Sequence, residues 1–471
     1  MRKKIILSRI FTHEDQLEFA EFSGDVNPIH IDPVYSRRTI VGECIVHGVH
    51  GFLCAINSLL EINKVMVSEF KAKFLKPIPL NVLIHVALID KRELHIIGEN
   101  NVVYTTIRFT DVKEHLNDYL LKINKANKLL KPLNLNIDEC SNLTGADLAY
   151  CGNQAVGENL FPKLLDAYGS TAIIEIVCTS EVVGMRCPGL RSLFLSMSGK
   201  FINEEVLPKY RVLEIDKRFG FISLLFEGRR LNMEAKIFYQ RTPLSNSSTN
   251  KINQVVVKNN FRQVKALVIG GSRGIGEVVA KMIAHGGGKV TITFDVGEDD
   301  ARRVQQEIAS CGGDCHILQL TIDGNISILD DDYNQIYYFA SPKIKKEDKN
   351  IVDKTLIENY NRLYVIGFKD LINKISEGKM KCNIFYPSTI FLDATPNGYW
   401  GYSEAKAKGE QICREFNEDE SIHILYSRLP RLATDQNMGL IGENFPDIVD
   451  VLYPLISKMM VNFGAKKSTL W

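Results

Sequence analysis

The sequence predicts a duplicated α+β unit followed by a doubly wound α/β domain built on a parallel sheet. Three observations carry that reading: a helix-then-strands pattern that recurs twice before residue 243, a polar run at 244–251, and an apolar strand entering a glycine-rich turn at 264–276. At 471 residues the chain exceeds what one hydrophobic core usually organises, so two or three domains are expected.

The first half of the repeat has helical apolar spacing over 49–62, strand-like alternation over 67–74, and further β-type segments at 82–89 and 102–109. The second has an apolar helical stretch over 161–177, a strand-like segment at 195–201, and β-type segments at 221–226 and 235–239. Leu244-Ser245-Asn246-Ser247-Ser248-Thr249-Asn250-Lys251 has no apolar periodicity and reads as a linker. Beyond it, 264–269 is the short unbroken apolar run that a strand buried on both faces requires. The expected division is 1–125 and 126–243 for the two halves, 244–262 for the linker and 263–471 for the α/β domain.

The balance of 57 Lys+Arg against 56 Asp+Glu sets up no large field to attract nucleic acid or an anionic membrane, so small molecules or proteins are the expected partners. Met1-Arg2-Lys3-Lys4 precedes only a brief apolar stretch broken by Ser8 and Arg9, which is neither a signal peptide nor a membrane span, and a cytoplasmic location is expected. The ten cysteines lack paired short spacings. Cys311 and Cys315 are the closest, with no second pair of ligands nearby, so reduced thiols and no metal site are expected.

In Phe22-Ser23-Gly24-Asp25-Val26-Asn27-Pro28-Ile29-His30-Ile31-Asp32 a carboxylate and an imidazole stand five positions apart around an Asn-Pro turn. By itself such a stretch is a polar turn with an Asx cap. The complete run, however, is similar to the hydratase motif of (R)-specific enoyl-CoA hydratases and MaoC-like dehydratases, a family with the hot-dog fold whose catalytic dyad is an Asp and a His. The resemblance makes Asp25 and His30 the catalytic pair and Asn27 the residue that orients them. Adding water across a conjugated double bond needs one group to take a proton from water and another to deliver one to the α-carbon, which suits this pair. Negative charge gathers on the thioester oxygen as water attacks, and Val46-His47-Gly48-Val49, just before the predicted helix, offers unpaired N–H groups for it. The resemblance gives this role to the backbone N–H of Gly48. His47 and His50 are expected as packing or helix-start residues.

The second half has no equivalent of Asp-Val-Asn-Pro-Ile-His. Its Cys187-Pro188-Gly189-Leu190-Arg191-Ser192-Leu193-Phe194 resembles a segment of hot-dog dehydratases that supplies no acid/base pair. The resemblance implies a double hot-dog in which one half keeps the dyad and the other widens the acyl tunnel.

After the linker, Gly270-Gly271-Ser272-Arg273-Gly274-Ile275-Gly276 follows the apolar strand, and small residues there let backbone N–H groups approach a pyrophosphate at a helix N-terminus. Far downstream, Tyr402-Ser403-Glu404-Ala405-Lys406 puts Tyr402 and Lys406 one helical turn apart on one face. Together these resemble short-chain dehydrogenases/reductases, which implies a Rossmann-type sheet, a loop of Gly270, Ser272, Arg273, Gly274, Ile275 and Gly276 around a nicotinamide cofactor, and Tyr402 and Lys406 as the catalytic pair. A Tyr hydroxyl with a pKa near ~10 is a poor partner for hydride chemistry at neutral pH, and Lys406 is expected to favour its ionised form and to hold the cofactor ribose. Of Ser388 and Thr389, both in the window where the family carries a carbonyl-polarising Ser, Ser388 is the preferred candidate.

Three departures mark this domain as divergent. The family's Asn-Asn-Ala-Gly becomes Phe339-Ala340-Ser341-Pro342, its helix Asn becomes Tyr364, and its Pro-Gly becomes Pro430-Arg431, although Thr434 remains. Asp295, at the end of the second strand, suits the ribose hydroxyls of NAD, whereas Arg273 is of the kind that pairs with the phosphate of NADP. The balance tips to NAD, and NAD(P) covers both.

The two resemblances imply consecutive chemistry. A reductase interconverts 3-ketoacyl and 3-hydroxyacyl thioesters, and a hydratase interconverts that alcohol with the 2-enoyl thioester, the acyl group riding on CoA or on acyl-carrier phosphopantetheine. A homo-oligomer, dimer or tetramer, is also implied. The competing readings are a hydratase fused to a degenerate nucleotide-binding scaffold and an acyl-binding module without chemistry.

Overall fold

The computed structural model describes residues 3–63, 66–112, 129–141, 143, 146–240, 245–322, 333–347, 353–378, 380–417, 422–432, 434 and 445–460. The chain divides into two compact units at Thr242/Pro243.

The first unit holds strands β1 (Lys4–Ile10), β2 (Met66–Phe74), β3 (Leu83–Asp90), β4 (Glu93–Gly98), β5 (Val103–Val112), β6 (Ala146–Asp147), β7 (Ser192–Phe201), β8 (Lys209–Asp216), β9 (Phe221–Glu227) and β10 (Leu231–Tyr239). Its helices are α1 (His13–Ser23), α2 (Pro28–Ile31), α3 (Pro33–Ser36), α4 (Gly48–Asn63), α5 (Ile137–Ser141), α6 (Gln154–Leu160) and α7 (Pro162–Glu181). All ten strands form one sheet in the order β1-β3-β4-β5-β2-β7-β10-β9-β8-β6. Read inward from its two edges, that order is β1-β3-β4-β5-β2 and β6-β8-β9-β10-β7, so the second half repeats the first strand for strand. The seam is the antiparallel β2–β7 pair, from Glu69 opposite Lys200 to Lys73 opposite Ser196.

Each half wraps its sheet around one long helix. Val49, Phe52, Leu53, Ile56 and Leu59 of α4, and Leu164, Tyr168, Ile173, Ile176 and Val177 of α7, share one core with inward residues of both half-sheets such as Ala72, Ile84, Ile107, Met197, Leu224 and Ala235. The alternation in β2 is what a sheet with one buried face demands, and it was readable in the sequence. α7 bends at Gly169, whose φ of 75° is open to glycine at little cost, and it ends in a wide π-type turn at Val182–Arg186. β1, β4, β6 and β8 were not anticipated. The expected boundary at 125/126 lies outside the described residues.

The second unit holds β11 (Lys265–Ile269), β12 (Lys289–Phe294), β13 (Asp314–Gln319), β14 (Gln335–Tyr338), β15 (Cys382–Thr389) and β16 (Ile422–Leu429), with α8 (Ser245–Val255), α9 (Gly274–His285), α10 (Glu298–Ser310), α11 (Lys354–Asn361), α12 (Gly367–Glu377), α13 (Trp400–Phe416) and α14 (Ile448–Lys458). The strands pair in parallel in the order β13-β12-β11-β14-β15-β16, so the order reverses between β11 and β14, where the glycine loop leaves the sheet. One face is covered by Met282, Val304, Leu452 and Ile456, the other by Phe368, Leu371, Ile372 and Ile412. This is the doubly wound sheet that the apolar strand and glycine turn predicted.

The linker expected at 244–262 is corrected. Its polar run opens helix α8, and Ile252 and Val256 are buried against α9 and α14 in the core of the second unit. Two apolar side chains one turn apart suffice to dock a helix whose remaining residues stay polar.

Candidate active sites

The first site is assembled by the turn after α1. Thr12 and Asp15 form a capping box that starts the helix, with amide bonds of 2.7 Å (Thr12 to Asp15) and 3.2 Å (Asp15 to Thr12). Gly24, left-handed at φ 82°, stops it by donating its N–H to Ala20. Asn27 then caps α2 by accepting the N–H of Ile29 at 3.1 Å, with Pro28 at the first helical position. Two tight turns thus leave the Asp25 and His30 side chains beside each other.

Asp25 is 2% exposed. Its carboxylate accepts the Ser180 hydroxyl at 2.7 Å and the Asn27 N–H at 3.1 Å. Burial, and then the neighbouring Glu181, push its pKa up to about 7 against those two bonds, which favour the ionised form. His30 is half-buried. Its Nδ1 lies 2.9 Å from the Ile45 carbonyl, so Nδ1 carries the hydrogen and Nε2 keeps its lone pair. Burial lowers its pKa to about 4, and it is neutral near pH 7. Ligating atoms of Asp25, His30 and His47 all lie within 4.8 Å of one another, a gap that a single water can bridge.

These three do not make a metal site. The His30 and His47 rings stack, with centroids 3.7 Å apart and planes at 24°, so their lone pairs lie in nearly parallel planes and do not converge on one ion. Both nitrogens of His47 also face oxygens, Nδ1 to Gln16 Oε1 at 3.0 Å and Nε2 to the Asp25 backbone oxygen at 3.1 Å. His50 is packing, as expected: it stacks on Phe19 at 4.7 Å, neither ring nitrogen has a hydrogen-bond partner, and burial lowers its pKa to about 3.

Gly48 is the first residue of α4, so its N–H is among the amides without an intrahelical acceptor. A Cβ there would come within 3.3 Å of the Phe74 ring and 3.6 Å of Phe194, which confines the position to glycine or a close fit.

Residues from the second half were missed by the sequence reading. Besides Ser180, the carbonyls of Gly184 and Gly189 accept the Asn27 side-chain amide at 2.8 and 3.2 Å. A Cβ on Gly184 would sit 2.2 Å from Asp25 Oδ1. The half expected only to widen an acyl tunnel therefore supplies the bonds that hold the dyad. A faint signal existed in Thr179-Ser180-Glu181, a polar run within an apolar helical stretch.

In the second unit the glycine loop follows β11. Gly270 has φ 75°, and its N–H donates to Thr293 Oγ1 at 3.1 Å. A Cβ on Gly276 would lie 2.3 Å from the Gly270 oxygen, so the first turn of α9 closes against the loop only without side chains. Ser272, Arg273, Gly274 and Ile275 carry the chain into that turn. This cradle fits a pyrophosphate at a helix N-terminus. Asp295, exposed after β12, accepts the Thr321 hydroxyl at 2.7 Å. Thr434 is half-buried in an irregular segment.

Tyr402 and Lys406 lie on α13, both buried. The hydroxyl that acts on Tyr402 as a near neighbour is that of Thr389, which lowers the Tyr402 pKa against the larger, opposite effect of burial. Ser388 donates to Glu410 at 2.6 Å, and Glu410 also takes two bonds from Arg428 at 2.9 Å. Both residues meet α13: Ser388 reaches Glu410, two turns beyond Tyr402, while Thr389, at the end of β15, lies toward Tyr402. The expected ionisation of Tyr402 is likewise corrected. Lys406 Nζ donates to the Pro387 carbonyl at 2.7 Å and sits 3.9 Å from the Tyr364 ring centroid and 4.8 Å from that of Tyr386. Burial lowers Lys406 to about 7 and raises Tyr402 to about 12. Tyr364 is thus the face on which the lysine rests, and its hydroxyl is 2.5 Å from that of Ser341.

Residues 3–111 match the family model described as MaoC like domain. No curated protein matches the chain. Among solved structures, the chain is similar to a short-chain dehydrogenase from Escherichia coli complexed with NADPH, at 14% identity and TM-score 0.40, covering 45% of this chain and 97% of that one. It is also similar to a short-chain dehydrogenase from Burkholderia cenocepacia in complex with NADP, at 17% identity and TM-score 0.36, covering 42% and 90%. A third is an alternative dihydrofolate reductase from Brucella suis in complex with NADP, at 14% identity and TM-score 0.37, covering 42% and 89%. Among the described residues, no helix is long and apolar enough to cross a membrane.

Proposed function

We propose that the chain is a bifunctional acyl-thioester enzyme, in which the first unit reversibly hydrates 2-enoyl thioesters to 3-hydroxyacyl thioesters and the second interconverts 3-hydroxyacyl and 3-ketoacyl thioesters with NAD or NADP. The observation that carries the hydratase reading is the water-sized gap between ligating atoms of Asp25 and His30, beside a His30 whose Nδ1 is held by the Ile45 carbonyl. A water held there donates to both. As its oxygen attacks the β-carbon, the pair takes one proton and returns one to the α-carbon, so it ends as it began. The thioester oxygen, gaining charge during attack, is met by the Gly48 N–H at the positive end of α4. The acyl group is carried on CoA or on a carrier protein.

In the second unit the Gly270–Gly276 cradle and α9 would hold the pyrophosphate, and Asp295 and Arg273 lie on either side of the choice between a ribose hydroxyl and a ribose phosphate. When bound, the nicotinamide supplies or accepts a hydride. Tyr402, aided by the Thr389 hydroxyl, holds the proton that balances it at the substrate oxygen.

One observation favours the scaffold reading of this unit. The Lys406 ammonium already occupies a carbonyl and two aromatic faces, which leaves it poorly placed to hold a ribose.

The test is purified chain with crotonyl-CoA and NAD or NADP, following enoyl absorbance and reduced cofactor separately, then 3-ketoacyl-CoA with reduced cofactor. Loss of both signals in His30→Ala with crotonyl-CoA, and of only the cofactor signal in Tyr402→Phe, is the expected result. Hydration without any cofactor turnover on either substrate supports the scaffold reading, and no hydration on CoA or carrier-protein substrates refutes the proposal.

A further inference from the structure

His47 is fully buried on the floor of the first site, and its hydrogen bonds are those of a charged ring. The backbone N–H of His47 donates to Gln16 Oε1 at 3.0 Å, which fixes the orientation of that amide, since a flipped Gln16 would set NH2 against N–H. With Gln16 so fixed, both ring nitrogens face acceptors: Oε1 at 3.0 Å from Nδ1 and the Asp25 carbonyl at 3.1 Å from Nε2. A neutral imidazole has one N–H and would turn a lone pair against one of these oxygens. Only the imidazolium satisfies both.

Asp25 presents the complementary picture. Its carboxylate receives Ser180 Oγ at 2.7 Å and the Asn27 N–H at 3.1 Å, and both donors favour the ionised form. We propose that one proton is shared between Asp25 and His47 and resides on His47, so that the resting site is an Asp25 carboxylate beside a His47 imidazolium, and His47 acts as the positioning residue that keeps the water-activating carboxylate ionised. The proposal rests on the hydratase reading of this site.

Burial by itself pushes the two groups the other way, Asp25 up to about 7 and His47 well down. Burial acts in this way on each group while the other is neutral. Moving one proton from Asp25 to His47 leaves the proton count unchanged and makes two opposite charges whose ligating atoms lie within 4.8 Å. The other groups around the pair do not upset it. His30, stacked on His47, donates to Ile45 and is neutral, so it offers a π-face and no like charge. His50 is neutral, and the Arg9–Asp15 pair beyond it, at 2.6 Å, is self-compensated. Glu181 is itself paired with Arg186 at 2.8 Å.

The experiment is a 15N–1H correlation spectrum of the full chain, labelled at its ten histidines, at pH 7 without substrate. One histidine is expected to carry protons on both ring nitrogens in slow exchange. Its signals are expected to vanish in His47→Gln and to fall to a single N–H in Asp25→Asn, a near-isosteric change that serves as identification where His47→Gln does not fold. A His47 with one N–H in the wild type overturns the proposal, as does a doubly protonated His47 that is unchanged in Asp25→Asn. Because no substrate is present, a failure here is separate from a failure to hydrate enoyl thioesters.

Discussion

Gly184→Ala tests whether the second half of the hot-dog unit holds the dyad in place. The wide turn at Val182–Arg186 passes so close to Asp25 that a Cβ on residue 184 would lie 2.2 Å from Oδ1 and 2.6 Å from Oδ2. Ordinary contact begins near 3.4 Å, so either the carboxylate or the turn must give by about 1 Å. Asp25 is 2% exposed and has no free space to retreat into without losing Ser180 and the Asn27 amide. The overpacking costs roughly 1–3 kcal/mol, which lowers the melting temperature of a unit of this size by roughly 2–4 °C per kcal/mol. Activity is expected to suffer more, because displacing a reacting group by ~1 Å can cost on the order of 10²-fold. The assay is kcat/KM for loss of enoyl absorbance with crotonyl-CoA, alongside the thermal unfolding curve. A folded Gly184→Ala protein that retains kcat/KM within about threefold of wild type, against the roughly 10²-fold loss expected, refutes the idea that this turn positions Asp25.

Ser180→Ala removes a hydrogen bond to a buried carboxylate, worth roughly 1.5–3 kcal/mol, and one of the two bonds holding the Asp25 pKa down; the rising limb of the hydration pH profile is expected to move to higher pH, and a limb that stays put counts against Asp25 as the ionising group. His50→Phe fills a pocket already lined by Phe11, Phe19 and Phe161 and removes two unpartnered nitrogens. Because the pKa of His50 is depressed from 6.5 to about 3, the unfolded chain binds the proton first, so stability is full above pH ~6.5 and falls by at most about 1.4 kcal/mol per pH unit below it. Denaturant unfolding of the variant between pH 7 and 4.5 is expected to be flatter than wild type, and an unchanged slope rejects the assignment. Thr389→Val is expected to lower 3-ketoacyl reduction by roughly 10²-fold with hydration intact, whereas Ser388→Ala is expected to loosen the Glu410–Arg428 cluster and lower the melting temperature of the second unit; the reverse pattern restores Ser388 to the active site.

What the sequence disclosed followed from how local each signal is. The Asn-Pro turn, the glycine at the start of α4 and the glycine loop act through backbone geometry over a few residues, so their local geometry was readable in place. The period-2 pattern located β2, while β4 escaped because six residues between turns leave little alternation to count, and β8 because its alternation is broken by the register shift between Val212 and Glu214. Ser388 was preferred over Thr389 because composition does not fix which of two adjacent residues meets Tyr402 and which meets Glu410 on the same helix; only the packing of α13 against β15 does. α8 was hidden because a helix docked by two apolar residues has the composition of a linker. Ser180 and Gly184 were beyond reach, since their role lies 155 residues or more from the partners they hold.

That separation explains how the duplication has been used. The two halves correspond strand for strand, and α4 and α7 occupy equivalent places, yet only the first carries an acid/base pair. The dyad does not belong to that half alone. Asp25 is buried by Gly184, receives its side-chain hydrogen bond from Ser180, and is followed by an Asn27 whose amide is held by the carbonyls of Gly184 and Gly189. Losing Ser180 alone would leave a buried carboxylate without its side-chain donor, a loss that costs roughly 1–3 kcal/mol. The second half carries no counterpart of the Asp25–His30 pair and supplies instead the groups that orient it, so under the proposed hydratase reading the site belongs to the duplicated unit as a whole.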